Sequence, residues 1–449
     1  MSALSPARKA ALSLVSERRR RDGRIRDIAR ESDVLRQLSP EDRALAMRLA
    51  VGAVGASVQM DAVIDRYVSR PAGLEPRVRD ALAVSAFEIC HLDTPRAVAA
   101  SQGVELVRSV SPRAAGMANA VLRKVAGEVR PEVDRAWERC TDGCPFERDL
   151  VLVSGLPDWL VSRVVADAGL DAARAMAMSN LEPAPVYVAA NRVLHTPSEL
   201  QAILEAAGLE PRDSGLPGSF ELLAPQGLAA SGLVDGCDLV VADLSAQRAC
   251  LTAAPKPGMR VLEIGQGRGT KSILLQSVAL RERACVELVG IDSVASKTRV
   301  ATERMARAGL SDHVTCLCLD ATLLAGHNLP HEASGKFDLV FVDTPCSGTG
   351  TMRRHPEIAA HLTPEDVTDL ARLQLQILEA ASTRVAPGGV LVYSTCSVLA
   401  EENSQVVDAF LNGAPGAGYE AVGSACFQTT PVPDGPDGHF CACLWCRCS

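Results

Sequence analysis

The last part of the chain alternates short apolar segments with helical ones, and this alternation limits the fold more than any other feature. Strands are predicted at residues 260–264, 286–291, 314–319, 337–342 and 390–394, with helical periodicity between them. Continuous apolar strands of this kind are typical of parallel sheets covered by helices on both faces. Ligands bind such sheets at the carboxyl ends of the strands. We therefore predict an α/β fold with a doubly wound, mostly parallel sheet over residues 251–449.

A glycine-rich loop follows the first of these strands and leads into a helix. It consists of Gly265, Gln266, Gly267, Arg268, Gly269, Thr270 and Lys271. Glycines let a ligand approach the backbone closely, and a helix N-terminus favours negative charge. Asp292 follows the second strand, where a carboxylate accepts hydrogen bonds from ribose hydroxyls, and Asp320 follows the third. These features favour a nucleoside-containing cofactor, although the loop alone also allows a nicotinamide enzyme.

Two cysteines lie in loops at the same predicted edge of the sheet. Cys346 lies in Asp-Thr-Pro-Cys-Ser-Gly-Thr-Gly at residues 343–350, and Cys396 lies in Tyr-Ser-Thr-Cys-Ser at residues 393–397. The 15 cysteines of the chain are irregularly spaced, which argues against a disulfide framework and makes any single one more typical of packing. Two cysteines in ligand-edge loops are harder to explain by packing alone.

A pair of thiols in this position favours methylation of a carbon atom over methylation of a nitrogen. Carbon 5 of cytosine becomes nucleophilic towards a methylsulfonium only after a thiolate has added to carbon 6. An acid at the ring nitrogen then stabilises the developing charge, and a base removes the carbon-5 proton so that the thiolate can leave. Methylation of an exocyclic amine needs no cysteine.

The motifs resemble those of the NOL1/NOP2/Sun family of RNA cytosine-5 methyltransferases over nearly the whole chain. Asp-x-Pro-Cys-Ser-Gly and Ser-Thr-Cys-Ser, in that order, carry the resemblance. Further matches are Ala-Asp-Leu-Ser-Ala-Gln at residues 242–247, Arg-Arg-His-Pro-Glu at 353–357 and Asp-Gly-His-Phe at 437–440. The first loop departs from the usual Asp-x-Cys-Ala-Ala-Pro-Gly-Gly-Lys of the family, of which Gly269 and Lys271 remain.

The resemblance implies a Rossmann-like methyltransferase domain that uses S-adenosylmethionine and no metal. Cys396 is the implied nucleophile, Cys346 is the implied aid to product release, and Asp343 is expected to contact the cytosine ring near the cofactor. Residues 265–271 are expected at the methionine end of the cofactor. The other implied cofactor-binding residues are Asp292 at the ribose, Lys297 beside it, Asp320 on the adenine side and Asp343.

Residues 1–130 are predicted to be entirely helical. They hold 22 Lys and Arg against 15 Asp and Glu, a net charge of +7, so the remainder carries −15 of the total of −8. The resemblance identifies them as a NusB-like RNA-binding domain ending at Asn-Ala-Val-Leu-Arg, residues 119–123. We predict a linker at 131–150 and a small α+β RNA-binding or connecting segment at 151–250.

The resemblance implies that the substrate is a cytosine of small-subunit ribosomal RNA. Three alternatives stay open: the same chemistry on transfer RNA, a non-catalytic RNA-binding assembly factor, and a DNA methyltransferase with Cys346 as nucleophile. The sequence has neither an apolar stretch of about 18 residues nor a signal-peptide pattern, so we expect a cytoplasmic monomer that contacts no membrane. On a strand, Cys441 and Cys443 would face away from Cys446 and Cys448, which disfavours a metal site.

Overall fold

The computed structural model describes residues 4–21 and 23–447, and these form two compact units. The first unit comprises residues 4–183 together with Thr351–Leu362 and Pro431–Pro433. The second comprises Ala184–Gly350, Thr363–Thr430 and residues 434–447. Both units are discontinuous in sequence, because two short segments from the C-terminal part of the chain belong to the first unit. Cys448 of the C-terminal cysteine pattern lies outside the described residues.

The first unit is built from helices, and those of its N-terminal part pack around an aliphatic core. Leu49, Phe87, Ile89, Leu106 and Leu122 are fully or almost fully buried in it. The sequence Ser-Pro-Glu-Asp at residues 39–42 predicts the start of a helix, and in the structure Ser39 accepts a hydrogen bond from the backbone of the first turn of that helix. The α-helices are α1 (Pro6–Arg21), α2 (Ile25–Glu31), α3 (Asp33–Arg36), α4 (Pro40–Gly55), α5 (Ser57–Tyr67), α6 (Pro76–His91), α7 (Arg96–Val110), α8 (Ala115–Lys124), α9 (Arg130–Thr141), α10 (Glu147–Ser154), α11 (Asp158–Asn180) and α16 (Ile358–His361).

Helices α4 and α5 supply much of the apolar surface of this core. Leu49 of α4 and both Met60 and Ile64 of α5 are completely buried. Within the described residues, no single helix is long and apolar enough to cross a membrane. Only α4 and α5 taken together, with a bend of 78° between them, reach that length and composition.

Two predictions for the middle of the chain differ from the structure. Residues 131–150, predicted as a linker, are largely helical because α9 and α10 occupy most of them. Pro131 does not prevent this, since it stands in the first turn of α9, where a missing N–H breaks no helical hydrogen bond. The sequence predicts a short helix over residues 157–168, but α11 resumes after Gly169, whose φ of +83° allows a kink. The domain boundaries at 130, 150 and 250 stay a prediction.

The second unit contains two sheets and the helices that cover them. The smaller sheet has the order β2-β3-β1-β4, from β1 (Val186–Ala190), β2 (Pro211–Asp213), β3 (Ser219–Leu222) and β4 (Leu239–Val241). The larger sheet contains β5 (Arg260–Ile264), β6 (Glu287–Asp292), β7 (Val314–Cys318), β8 (Phe337–Asp343), β9 (Val385–Thr395), β10 (Tyr419–Ala421), β11 (Phe427–Thr429) and β12 (His439–Cys446). The α-helices are α12 (Pro197–Ala206), α13 (Leu244–Ala253), α14 (Thr270–Ala279), α15 (Ala295–Arg307), α17 (Pro364–Ser382) and α18 (Ser404–Asn412).

The larger sheet has the mostly parallel, doubly wound topology that the sequence predicted. Its strand order is β10-β12-β9-β8-β5-β6-β7, with β11 paired to β12. Strands β5 to β9 are parallel to their neighbours, and β12 is antiparallel to β9. The chain winds from β5 through β6 to β7 and then crosses to β8 on the other side of β5. The order therefore reverses between β5 and β8, where ligands bind in sheets of this class.

The contact between α4 and α6 gives a test of the helical core. A Cβ added to Gly52 would lie 1.9 Å from the ring of Phe87. We expect Gly52→Ala to lower the free energy of unfolding by about 1–3 kcal/mol, because the ring or the helix must move. The measurement is chemical denaturation followed by circular dichroism.

Gly116→Ala on α8 is the matched control. Nothing lies within 4 Å of the added carbon, and alanine is favoured over glycine inside a helix by up to about 1 kcal/mol. The control should therefore leave stability unchanged or raise it. Equal losses in the two variants would contradict the proposed tight contact.

Candidate active site

The loops after β5 and β8 touch at the point where the strand order reverses. Gly265 has a φ of +77°, and a Cβ there would lie 2.0 Å from the carbonyl oxygen of Asp343. Only glycine fits this backbone conformation and this close approach. The contact places the first turn of α14 beside the end of β8, so that Lys271 Nζ donates a hydrogen bond of 2.7 Å to Asp343 Oδ2.

Lys271 is held as an ammonium ion in this position. Burial by itself lowers the pKa of Lys271, but the charge and hydrogen bond of Asp343 together outweigh that effect and raise the pKa above its ordinary value. The sequence placed Lys271 only among cofactor-binding residues. Its pairing with Asp343 is a feature that the sequence did not indicate, since 72 residues separate the two.

The two predicted cysteines come together at the same edge of the sheet. Strands β8 and β9 are parallel neighbours in which Asp343 pairs with Ser394, so the loops that follow them start side by side. Cys346 Sγ lies 3.2 Å from Cys396 Sγ, and both residues are half-buried. The hydrogen bond with Cys346 lowers the pKa of Cys396 against the opposing effects of burial and of the Asp343 charge, and the charge of Lys271 adds to the lowering. The same hydrogen bond raises the pKa of Cys346.

Tight backbone contacts support the Cys396 loop. The N–H of Gly350 donates to the carbonyl oxygen of Cys396, and the N–H of Gly438 donates to that of Gly350, each at 2.9 Å. A Cβ on Gly350 would lie 2.3 Å from the oxygen of Gly438. In the same segment, His439 Nε2 lies 2.9 Å from Ser394 Oγ. Burial, with a smaller contribution from the nearby lysine, lowers the pKa of His439 to about 3, so its ring is neutral.

A buried carboxylate that the sequence did not single out connects the two cysteine loops. Glu402 has no solvent exposure and accepts hydrogen bonds from Ser347, Ser397 and Gln374. In the sequence it is the second of two adjacent glutamates ahead of a helix. Such acids are typical of an exposed first turn, so no local signal separates Glu402 from Glu401.

Asp292 ends β6 as predicted and holds the glycine loop. Its Oδ2 accepts from Gly267 N at 3.0 Å, its Oδ1 accepts from Val294 N at 2.9 Å, and Lys297 Nζ lies 3.8 Å from Oδ2. Each carboxylate oxygen can still accept a second hydrogen bond. A Cβ on Gly267 would meet only Gly265 O, at 3.9 Å, so the space beside this loop is open. The residues present therefore fit a ribose-bearing cofactor.

The side chain of Gln266 points into the protein. Its Nε2 donates to Ser272 Oγ at 3.0 Å, and the side chain fills the space that a Cβ on Gly290 would need. Ser272 in turn donates to Glu263 Oε2 at 2.6 Å. Burial raises the pKa of Glu263 to about 8, so this carboxyl holds its proton near neutral pH. Only the backbone of Gln266 is left to face a ligand.

The remaining predicted residues lie around these groups. Arg268 is exposed, Gly269 caps α14 with a φ of +79°, and Thr270 Oγ1 accepts from Arg304 at 3.1 Å. Strand β7 ends at Cys318, one residue earlier than predicted. The carboxylate of Asp320 accepts from the N–H of Thr322 at 2.9 Å and so caps a short 3₁₀ turn. A role for Asp320 at the adenine stays a prediction.

The fold and the loops at its switch point define a Rossmann-like methyltransferase of the S-adenosylmethionine-dependent class. The family model for 16S rRNA methyltransferase RsmB/F matches residues 250–442, and that for the NusB family matches residues 5–127. The chain is 30% identical over 419 residues to ribosomal RNA small subunit methyltransferase B of Salmonella typhi, with 91% of each chain covered. It therefore belongs to the family of ribosomal RNA small subunit methyltransferase B. The NusB match also confirms the predicted NusB-like domain.

Two solved structures share the fold. PH0851 has a TM-score of 0.76 at 21% identity, with 99% of both chains covered. NSun6 from Pyrococcus horikoshii, solved with SFG, has a TM-score of 0.55 at 18% identity, covering 64% of this chain and 98% of that one. At these identities the likeness concerns the fold alone.

The distance between the two thiols predicts a specific oxidation product. Peroxide converts the Cys396 thiolate to a sulfenic acid, which the Cys346 thiol then attacks, forming a disulfide and releasing water. The sulfurs lie 3.2 Å apart, so a shift of about 1 Å closes the bond. We expect peptide mapping to find a 346–396 crosslink that dithiothreitol reverses.

Cys346→Ser is the control, because it leaves Cys396 with no neighbouring thiol to capture the sulfenic acid. The exposed Cys144 reports whether oxidant was sufficient. Oxidation of Cys144 without any 346–396 crosslink in the unchanged protein would contradict the observed proximity.

Proposed function

We propose that this chain methylates carbon 5 of a cytosine in small-subunit ribosomal RNA, with Cys396 as the covalent nucleophile. The observation that carries the proposal is the pair of sulfur atoms 3.2 Å apart beside the Lys271–Asp343 ion pair. The hydrogen bond with Cys346 lowers the pKa of Cys396 against the opposing effects of burial and of the Asp343 charge. A thiolate at that position is the nucleophile that carbon-5 methylation requires.

In the proposed reaction, each residue acts on a defined atom of the cytosine. The Cys396 thiolate forms a bond to carbon 6, and the electrons of the 5,6 double bond move towards carbon 5. Asp343, held in place by its ion pair with Lys271, contacts the cytosine ring. S-adenosylmethionine supplies the methyl group that ends on carbon 5. Removal of the carbon-5 proton restores the double bond and expels the Cys396 thiolate, and Cys346 assists this release.

We assign the cofactor to the open side of the glycine loop. Asp292 would accept hydrogen bonds from the ribose hydroxyls, with Lys297 next to it, while residues 265–271 would hold the methionine end and Asp320 the adenine side. The space at Gly267 and the remaining lone pairs of Asp292 support this assignment. No metal is needed for any step.

Two observations support ribosomal RNA as the substrate. The helical N-terminal part carries a net charge of +7, which favours a polyanionic partner. The relative from Salmonella typhi is named for small-subunit ribosomal RNA. Action on this RNA places the protein in the cytoplasm.

Substitution of each cysteine by alanine distinguishes Cys396 from Cys346 as the nucleophile. Cys396→Ala is expected to abolish covalent trapping of RNA that contains 5-fluorocytosine, because fluorine blocks the final elimination only after a sulfur–carbon bond has formed. Turnover should fall by about 10³-fold or more. Denaturing gel electrophoresis of the protein–RNA adduct measures the trapping.

Cys346→Ala should still form the adduct and, with ordinary cytosine, should accumulate it because release is slowed. The opposite pattern, with trapping lost only in Cys346→Ala, would identify Cys346 as the nucleophile. Such a result would support the mechanism of a DNA-type cytosine methyltransferase.

Bisulfite sequencing tests the substrate in cells. One cytosine of small-subunit ribosomal RNA should lose its protection from conversion when the gene is deleted, and regain it when the intact gene, but not the Cys396→Ala form, is restored. Loss of protection only in transfer RNA would overturn the assignment to ribosomal RNA.

A further inference from the structure

We propose that Glu402 is a positioning residue that holds the two cysteine loops at the separation the reaction needs. This inference rests on the proposed function, in which one thiol attacks carbon 6 and the other assists release. Among the described residues, Glu402 forms hydrogen bonds with Ser347, Ser397, Gln374 and Tyr393 and with neither thiol. It acts through the residues that follow each cysteine.

The contacts of Glu402 span both loops. Its Oε1 accepts from the backbone N–H of Ser347 at 2.7 Å, and its Oε2 accepts from the hydroxyl of the same serine. The hydroxyl of Ser397 donates to Oε2 at 2.6 Å. Ser347 directly follows Cys346, and Ser397 directly follows Cys396. One carboxylate thus fixes the backbone on the C-terminal side of each proposed reactive thiol.

A third contact fixes the other side of the Cys346 loop. Gln374 of α17 donates from Nε2 to Glu402 Oε1 at 3.0 Å and to the carbonyl oxygen of Pro345 at 2.9 Å. Tyr393 near the end of β9 donates its hydroxyl proton to the backbone oxygen of Glu402, and the same hydroxyl oxygen lies 3.1 Å from Gln374 Oε1. The residues before and after Cys346 are therefore tied to the same buried group.

The burial of Glu402 explains why this bridge is rigid. Its side chain is completely buried, and a buried carboxylate is costly unless donors satisfy it. A carboxylate offers about four lone-pair sites, and the described residues supply four hydrogen bonds to them. Movement of either cysteine loop would leave a buried charge with an unpaired acceptor, so both loops are restrained.

The negative charge of Glu402 disfavours the Cys396 thiolate. A role of Glu402 in positioning can therefore be distinguished from a role of its charge. The pKa of Cys396 is lowered mainly by Cys346, and the negative charge of Glu402 opposes this lowering. Replacing Glu402 by glutamine removes that charge and favours the thiolate. An electrostatic role alone would therefore make Glu402→Gln faster, whereas a positioning role makes it slower.

Two measurements on the full-length protein test the proposal. The first is the rate of 346–396 disulfide formation with peroxide, which requires neither RNA nor cofactor. The second is the single-turnover formation of the adduct with 5-fluorocytosine RNA and saturating S-adenosylmethionine. We expect Glu402→Gln to slow both by about 10–100-fold, with the adduct amplitude unchanged.

Rate and amplitude distinguish positioning from a general loss of folding. A lower amplitude at an unchanged rate constant means that fewer molecules are folded, and it would overturn the proposal. Disulfide or adduct formation at the rate of the unchanged protein would also overturn it. If the unchanged protein forms the disulfide but no adduct, the proposed methylation fails, and the disulfide rate alone then decides the role of Glu402.

Glu401→Gln is the matched control. Glu401 is the preceding residue, is only half-buried, and accepts from Thr368 Oγ1 at 2.7 Å. The same loss of one negative charge at this position should leave both rates within about 2-fold of the unchanged protein. Equal slowing in Glu401→Gln would attribute the effect to net charge and contradict the assignment to Glu402.

Ser397→Ala provides a second variant in case Glu402→Gln does not fold. It removes the direct hydrogen bond between Glu402 and the Cys396 loop but keeps the bonds to Ser347 and Gln374. Adduct formation should slow in Ser397→Ala, because the Cys396 loop loses its hydrogen bond to Glu402. A rate equal to that of the unchanged protein would overturn the proposal.

Discussion

The close approach of Gly265 to the carbonyl oxygen of Asp343 is the constraint on which the rest of the site depends. It joins the loops after β5 and β8 at the point where the strand order reverses, and so brings the first turn of α14 to the carboxylate of Asp343. Because β9 runs parallel to β8, the next loop begins at the same level and delivers Cys396 to Cys346. A side chain at Gly265 would separate these elements.

The altered first loop is accommodated inside the protein as well as at its surface. Where the family usually has an alanine, Gln266 turns inward, occupies the space that a Cβ on Gly290 would need, and donates a hydrogen bond to Ser272. The buried carboxyl of Glu263 completes this group through Ser272. A polar cluster of matching residues thus replaces a small apolar turn, while Gly269 and Lys271 of the family motif are retained.

The sequence predicted the sheet and most of the site because both depend on local patterns. Strand β5 and the positions of Asp292, Asp343 and both cysteines at strand ends follow from apolar runs that end in polar turns. The ion pair of Lys271 with Asp343 and the hydrogen bonds of Glu402 to both cysteine loops were not predictable. The sequence around Lys271 and around Glu402 is what an exposed charged side chain would also have. Residues 131–150, predicted as a linker, are largely helical because proline is as compatible with a first helical turn as with a loop.

The discontinuous composition of the helical unit has a consequence for how the chain acquires its structure during translation. Thr351–Leu362 and Pro431–Pro433 belong to that unit, yet they leave the ribosome long after the N-terminal helices. Arg26 donates to the carbonyl oxygen of Arg354 at 3.0 Å, a contact 328 residues apart in sequence. The packing of the N-terminal helices is therefore complete only after these later segments have been synthesised. This unit cannot finish folding strictly in order from its N-terminus, as an independent N-terminal domain can.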